Sequence, residues 1–587
     1  MTSGTLKQDD LILGHPKGLF ILFFTELWER FSYYGMRALL TLYVATSATA
    51  VDPGLGMSSK DAIWLYGWYT MLVYVASIPG GWIADKYIGQ KKAVMYGGFL
   101  LCLGHGVLAI NSPIAFFSGL ILIILGVGAL KPNISTMVGG LYPKGDPRRD
   151  SGFTIFYIGI NIGAFMSSLI VGVIAYKYGW HYGFGLAGIG MLLGQAVFIY
   201  GQKYLTEVGN FLGNSKNQED SLLMNKPLTN IEKDRVIVLL ISFLIVIVFW
   251  GAFEQAGGLM NLYTEAKVDR YIGLTFLEEV PAAVFQSLNA GYIIIFGTIV
   301  GAFWIWMKKK NYESSSLFKM ALGTIIMGLG FIFMMFASIE ASSEEFGKAA
   351  MYWIFLAYFF HTIGELCASP VALSFITKLS PVKYASFMMG VYFAATGFGN
   401  KLAAGIGEAS QIEEYKGELI VSKENIFEFI KKDSIEIKKI IDGDRQIIDV
   451  YDYPINQDKN FSIKSKLKVE NDNVIISEYL NEGRVLNNLF DIDSISKNNL
   501  IQYLKSDKSK EIYHANLLFE KDLDNESNAL GDGKNYKLSF VVEEQQSDQE
   551  YKIFTFLTFF TVAFGFLVLL FLRKLKKLTH GAEEMDN

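Results

Sequence analysis

Residues 26–37 read Glu-Leu-Trp-Glu-Arg-Phe-Ser-Tyr-Tyr-Gly-Met-Arg, with four charged side chains inside an otherwise apolar segment. At 3.6 residues per turn, five polar side chains share one broad face of a helix: Glu26, Glu29, Arg30, Tyr33 and Arg37. An ionisable group near the centre of a bilayer costs at least ~2.5–3.5 kcal/mol, so four on one helix must face a polar cavity and partner one another. The segment predicts a functional polar cavity in a membrane, and a purely structural ion-pair cluster is the alternative.

Composition supports a membrane protein. Of 587 residues, 51% are hydrophobic and 19% are charged, and apolar runs repeatedly approach the ~20 residues that cross a bilayer. We predict twelve spans, at residues 17–44, 61–84, 93–111, 113–141, 153–176, 182–204, 235–263, 285–307, 316–338, 350–377, 385–406 and 552–572.

Lysine and arginine concentrate on alternate connections between these spans. They follow span two (Lys86, Lys91, Lys92), span four (Lys144, Arg148, Arg149), span eight (Lys308, Lys309, Lys310) and span twelve (Arg573, Lys574, Lys576, Lys577). Because basic connections stay on the cytoplasmic side, we expect both termini in the cytoplasm. Residues 1–10 lack a basic n-region and a cleavage site, so no signal peptide is expected.

The chain divides into two six-helix halves and an insert. We predict an N-terminal half at 1–204, a cytoplasmic linker at 205–234, helices seven to eleven at 235–410, an extracytoplasmic insert at 411–550, and helix twelve with a cytoplasmic tail at 551–587. Two proline pairs with the same spacing flank the ends of spans four and ten, as a duplicated unit predicts: Pro132 with Pro143, and Pro370 with Pro381.

The insert has a different character from the rest of the chain. It holds 29 acidic and 19 basic residues, a net charge of −10. Polar and apolar residues alternate over 461–469 and 536–542, which predicts half-buried strands in a soluble, β-rich domain. It is either a passive outer domain or a module for an unidentified partner, and the sequence does not separate the two.

Three further spans each carry an isolated charge: Lys131 in span four, Glu254 in span seven and Glu365 in span ten. With span one they give a cavity of three cations and four carboxylates, which is the chemistry needed to hold both ends of a zwitterion. The same set suits proton coupling, because a carboxylate that loses its cationic partner takes up a proton more readily.

Several motifs carry a resemblance to a known family. Residues 26–35 resemble the Glu-x-x-Glu-Arg-Phe-x-Tyr-Tyr-Gly signature of the proton-dependent oligopeptide transporter (POT) family, a branch of the major facilitator superfamily. Residues 81–92 resemble the superfamily's loop after span two, and further stretches are similar to family patterns: 156–163, 249–255, 286–289 and 364–370. Separate motifs in the right order make the resemblance specific.

The resemblance implies an all-α major facilitator fold and a proton-coupled symporter that imports di- and tripeptides across the bacterial inner membrane. It assigns proton coupling to Glu26, Glu29, Arg30 and Glu254. It assigns substrate binding to Arg30, Tyr33, Tyr34, Arg37, Tyr74, Lys131, Asn161, Trp250, Asn289, Glu365 and Ser369. It also implies two ion pairs between the halves that open and close with the gates, Arg37–Glu254 and Lys131–Glu365.

Two departures and two alternatives accompany this interpretation. Gly67 occupies the position of a histidine in mammalian members, and Tyr392 stands where tryptophan is common. The competing functions are a carrier of another small anion or peptide-like substrate within the family, and a nutrient receptor that signals through the insert. We expect peptide and membrane lipid as partners, protons as the coupling ion, and no enzymatic activity, metal, organic cofactor or nucleic acid.

Overall fold

The computed structural model describes residues 11–48, 52–143, 146, 148–206, 208–210, 228–343, 347–381, 385–411 and 547–582, and six strands between residues 415 and 543. Two compact units are present, one formed by residues 1–411 and 549–587 and the other by residues 412–548. Residues 211–227 of the expected linker lie outside the described residues.

The first unit is helical. Its helices are α1 Lys17–Ala45, α2 Ser59–Ile83, α3 Gln90–Leu108, α4 Pro113–Gly140, α5 Arg148–Tyr178, α6 Trp180–Gly201, α7 Asn230–Phe253, α8 Leu259–Lys267, α9 Ala282–Phe285, α10 Ser287–Lys309, α11 Ser316–Ala341, α12 Met351–Leu379, α13 Ala385–Ser410 and α14 Ser547–Leu578. Short strands connect them: β1 Leu11–Ile12, β2 His15–Pro16, β3 Val268–Asp269, β4 Tyr271–Leu274, β5 Leu277–Glu279 and β6 Ala349–Ala350.

Local sequence explains where several helices begin. The Ser58 hydroxyl accepts a hydrogen bond from the Asp61 amide at the start of α2, and Thr229 and Glu232 form a reciprocal capping box at the start of α7. Pro113 occupies the first turn of α4, where its missing N–H costs nothing. Pro132 lies inside α4 and Pro370 lies inside α12, near the end of each helix.

Hydrogen bonds join the loops between helices to one another at each end of the helical unit. At the end where α1 leads into α2, here called the distal end, the Trp180 amide donates to Asp52 (2.9 Å) and Val268 pairs with Ala349. At the opposite end, here called the terminal end, Lys91 and Asn210 are in contact (3.1 Å).

A second contact at the terminal end fixes the connection before α5. Hydrogen bonds from the Arg148 side chain and backbone amide lower the pKa of Asp146 to about 2. The carboxylate is therefore ionised at any working pH. The same Arg148 side chain donates to the carbonyl of Gly14 (3.0 Å), in the turn between β1 and β2. This bond joins the connection before α5 to the β1–β2 hairpin.

The predicted span at residues 235–263 lies within the apolar helical segment 230–267, which is not one continuous helix. A 3₁₀ turn at Glu254–Ala256 and two glycines, Gly257 and Gly258, separate α7 from α8. The physical reason is a close approach, because a Cβ at Gly257 would lie 2.0 Å from the Tyr66 hydroxyl oxygen. Glycine is disfavoured inside helices, but at position 257 it leaves the space that the Tyr66 side chain of α2 occupies.

Eight helical segments of the described residues are long and apolar enough to cross a membrane. They begin at residues 113, 151, 180, 230, 282, 316, 351 and 549. The unit is therefore an all-α membrane structure with several apolar helices. The segment α1 is not among the eight, since it carries the charged residues 26–37.

The second unit contains an antiparallel sheet with the strand order β10-β9-β8-β11-β12-β7. Its strands are β7 Tyr415–Ser422, β8 Phe461–Glu470, β9 Asn473–Ser477, β10 Arg484–Val485, β11 Tyr513–Lys521 and β12 Asn535–Glu543. In the central pairs, Leu517 lies opposite Ile463 of β8 and Phe540 of β12.

Candidate functional site

The charged face of α1 forms a compact ion cluster. The Arg30 Nε atom lies 2.9 Å from a Glu26 oxygen and 2.6 Å from a Glu29 oxygen, and all three side chains are buried. The Arg30 guanidinium also lies over the Tyr33 ring, at 5.5 Å from its centroid. One cation is therefore shared by two carboxylates in a buried setting, where charges stay ionised only while they are paired.

A second cluster joins the first six helices to the later ones. Arg37 Nε donates to the Tyr66 hydroxyl (2.8 Å), and that hydroxyl donates to Glu254 (2.6 Å). Arg37 also pairs with Glu254 directly, at 3.1 Å. The predicted Arg37–Glu254 ion pair is thus present, with Tyr66 as a third member.

Further contacts close the distal end around this cluster. The Thr41 hydroxyl donates to the Gly257 carbonyl (3.1 Å), and the Asn261 amide donates to the Ala38 carbonyl (3.0 Å). The first bond joins α1 to the break between α7 and α8, where Gly257 supplies a backbone acceptor, and the second joins α1 to α8.

Lys131 and Glu365, the other predicted pair, are not brought together. Among the described residues they form no ion pair within 4 Å. The Lys131 ammonium lies 3.9 Å from the centroid of the Tyr74 ring, a cation–π contact. Glu365 accepts a hydrogen bond from the Asn289 amide (2.7 Å), which also donates to Thr362 (3.1 Å).

Tyrosines surround Glu365 in the helical unit. Four are near enough to interact with it electrostatically, from α1, α2, α5 and α13: Tyr34, Tyr74, Tyr157 and Tyr392. Tyr34 also lies under the Arg37 guanidinium, at 5.4 Å from the ring centroid. The two charge clusters therefore border one tyrosine-lined region.

The remaining predicted residues have more ordinary surroundings. The Asn161 amide donates to the Tyr157 carbonyl of its own helix (2.9 Å). Trp250 packs edge-on against Phe249 and Phe253, and Ser369 is partly buried on α12. The structure assigns no role to these three beyond packing and local hydrogen bonds.

Helices α2 and α13 pack most closely near the distal end. A Cβ at Gly67 would lie 2.1 Å from the Ala404 Cβ, one at Gly397 would lie 3.1 Å from the Met71 carbonyl oxygen, and one at Gly390 would lie 3.9 Å from Ile78. Nearer the terminal end, a Cβ at Gly390 would therefore make only an ordinary van der Waals contact. Gly67 leaves no room for the histidine that mammalian members carry there.

Sequence reasoning missed two residues of this region, Tyr66 and Tyr157. A signal for Tyr66 existed, because Tyr66, Thr70 and Tyr74 recur at four-residue spacing on one face of α2. Tyr157 lies within the 156–163 motif, which assigns it no role. Its place near Glu365 depends on how α5 packs, which spacing along one helix cannot give.

Comparisons with known proteins agree with this geometry. The POT family model (PTR2) matches residues 91–225 and 221–416. The uncharacterized transporter YclF of Bacillus subtilis is 37% identical over 65% of this chain and 85% of its own length. The peptide transporter YePEPT of Yersinia enterocolitica is 35% identical, over 69% and 90%.

Solved structures show the same likeness. A crystal structure of a POT peptide transporter in complex with sulfate is 34% identical and has a TM-score of 0.62, covering 69% of this chain and 92% of its own. A POT family transporter in complex with a thioalcohol-conjugated peptide is 31% identical, with a TM-score of 0.61 over 68% and 91%. Since the family model and these relatives match most of the helical unit, the chain belongs to the POT family of membrane transporters.

Proposed function

We propose that this protein is a proton-coupled symporter that imports di- and tripeptides. One observation carries the proposal. Lys131 on α4 is partly buried and Glu365 on α12 is buried; they are contributed by different helical halves, and they contact a tyrosine ring and an amide rather than each other. A cation and a carboxylate placed in this way are available to the carboxylate and the amine of a peptide.

The family relationship supports the same substrate. The relatives in Yersinia enterocolitica and Lactococcus lactis are named as a peptide transporter and a di-/tripeptide transporter, the latter at 33% identity. An anion such as nitrate has no amine for Glu365 and Asn289 to hold, so these residues favour a zwitterion over a simple anion.

Twelve of the described helices serve as membrane spans in this proposal: α1–α6 in one half, and α7, α10, α11, α12, α13 and α14 in the other. The basic connections lie at the terminal end, which therefore faces the cytoplasm of the bacterial inner membrane. The insert at 411–550, between α13 and α14, is then outside. The contacts that join the halves at the distal end, Arg37–Glu254 and Thr41–Gly257, correspond to a state that is closed on the outer side.

Proton coupling is assigned to the α1 cluster and to Glu254. Arg30 contacts both Glu26 and Glu29, so a substrate carboxylate that draws Arg30 away leaves two buried carboxylates next to each other, and one must take a proton. We expect Glu26→Gln or Glu29→Gln to abolish proton-driven uptake while sparing part of the counterflow exchange. Gradient-driven uptake that survives both changes would show that coupling lies elsewhere.

Counterflow of labelled dialanine in reconstituted liposomes tests the function itself. Uptake should occur by exchange alone and should accumulate only when an inward proton gradient is imposed. Binding without flux would instead favour the receptor, and flux of nitrate without flux of dialanine would favour an anion carrier.

A further inference from the structure

Lys401 of α13 makes a contact between the two halves that the family motifs do not include. Its ammonium lies 5.4 Å from the centroid of the Trp68 ring and 5.7 Å from that of Trp64, both on α2. The same ammonium bonds Glu408 of its own helix at 3.0 Å. The ammonium of one lysine of the second half thus lies against two neighbouring indoles of the first half.

The position of this contact links it to closure of the distal end. Lys401 precedes Ala404 by one turn, and Ala404 faces Gly67 where α2 and α13 are closest. Because the indoles and the ammonium belong to different halves, α2 and α13 cannot separate here without breaking the contact. Nearer the terminal end, a Cβ at Gly390 would lie at ordinary contact distance from Ile78, 3.9 Å.

The surroundings favour a strong interaction. Trp64 is 48% exposed and Trp68 is 38% exposed on the outer face of the helical unit, whereas the Lys401 side chain is 24% exposed. In a membrane this face meets lipid, and a cation–π contact strengthens when water is excluded. The ion pair with Glu408 holds the ammonium on the side of α13 that faces the two indoles.

We propose that Lys401, Trp64 and Trp68 form a latch that stabilises the closed distal end, in addition to the central network of Arg37, Tyr66 and Glu254. The latch sets the balance between the two states of the transport cycle rather than the affinity for substrate. It therefore rests on the alternating-access part of the proposed function.

A distance measurement tests the latch in the full-length, substrate-free protein. Spin labels at Asn111→Cys and Lys348→Cys, both exposed at the distal end of different halves, report its opening in a Cys102→Ala, Cys367→Ala background. Lys401→Met and the double change Trp64→Leu, Trp68→Leu should each raise the open-to-closed ratio by about 3- to 30-fold.

Matched variants separate the latch from a general loss of structure. Lys401→Arg keeps the cation and should restore the ratio of the unaltered protein. Lys319→Met removes a cation–π contact with Trp304 that lies within one half (5.1 Å) and should leave the ratio unchanged. In transport assays, Lys401→Met should change the maximal rate more than the Michaelis constant.

Specific outcomes overturn the proposal. An open-to-closed ratio that is unchanged in Lys401→Met would overturn it. If Lys401→Met misfolds, an unchanged ratio in the double variant Trp64→Leu, Trp68→Leu would overturn it in the same way. An equal shift in Lys319→Met would show a nonspecific effect. Because the distances are measured without substrate, failure of the dialanine assay leaves this result interpretable.

Discussion

Tyr66 shows how a single hydroxyl can join two halves of a transporter. It accepts from Arg37 of α1 and donates to Glu254 at the end of α7, so it neutralises no charge but fixes the geometry of the ion pair. Removing one partner from a buried hydrogen-bond network costs about 1–3 kcal/mol, because the other groups stay buried.

We therefore expect Tyr66→Phe to weaken closure of the distal end. The open-to-closed ratio, read from the same pair of spin labels, should rise about tenfold, as about 1.4 kcal/mol corresponds to tenfold. Tyr69→Phe is the matched control, since the Tyr69 hydroxyl is buried one turn further along α2 and has no hydrogen-bond partner among the described residues. Equal effects of both changes would contradict a specific role for Tyr66.

Lys131 is the cation that the structure leaves available to a substrate carboxylate, whereas Arg37 is engaged with Glu254 and Tyr66. Lys131→Gln should therefore weaken binding of a free dipeptide by at least tenfold, since losing one partner of a desolvated charge pair costs ~2–5 kcal/mol. Binding of the carboxyl amide should change little. Calorimetric titration of both ligands checks this, and equal losses would mean that Lys131 does not contact the carboxylate.

The close contact of helix α2 with helix α13 requires a residue without a side chain at position 67. A methyl group at Gly67 would meet the Ala404 methyl at 2.1 Å, which forces the two helices apart. Gly67→Ala should therefore open the distal end and slow transport severalfold. Gly106→Ala on α3 is the control, because its Cβ would have nothing within 4 Å.

A second change should repair the first. Adding Ala404→Gly to Gly67→Ala returns the space to α13, so the double variant should recover most of the transport rate. Failure of this rescue, with the protein folded, would show that Gly67 matters for a reason other than its contact with Ala404.

Hydrophobic length and charged motifs were sufficient to place the helices and the ion cluster of α1. Glu26, Glu29 and Arg30 follow from helical spacing alone, because all three lie on one element. The break at Gly257 and the separation of Lys131 from Glu365 did not follow. Both depend on how α2 and α12 pack against other helices, which spacing along one helix does not give.

The helical unit and the sheet unit differ in composition as well as in structure. The insert carries a net charge of −10 within a chain of net −5. All the proposed site residues belong to residues 1–411, and α14 completes the helical unit by packing Phe554 and Leu557 into its core. The helical unit therefore contains the complete proposed transport machinery.

From this division we expect the insert to be dispensable for transport. Replacing residues 413–546 with a Gly/Ser linker of about 15 residues, which can span up to about 50 Å, keeps α13 and α14 intact. Proton-driven dialanine uptake, normalised to the amount of protein in the membrane, should stay within a few-fold of that of the intact chain.

The negative charge of the insert allows one measurable exception. It can raise the local concentration of cations around the insert, but salt screens such a field beyond ~8–10 Å. Any loss on truncation should therefore appear as a weaker apparent affinity at low ionic strength and should disappear as salt is added, so uptake is measured at two salt concentrations. A folded truncation that binds dialanine yet fails to transport it at either concentration would make the insert a working part of the transport cycle.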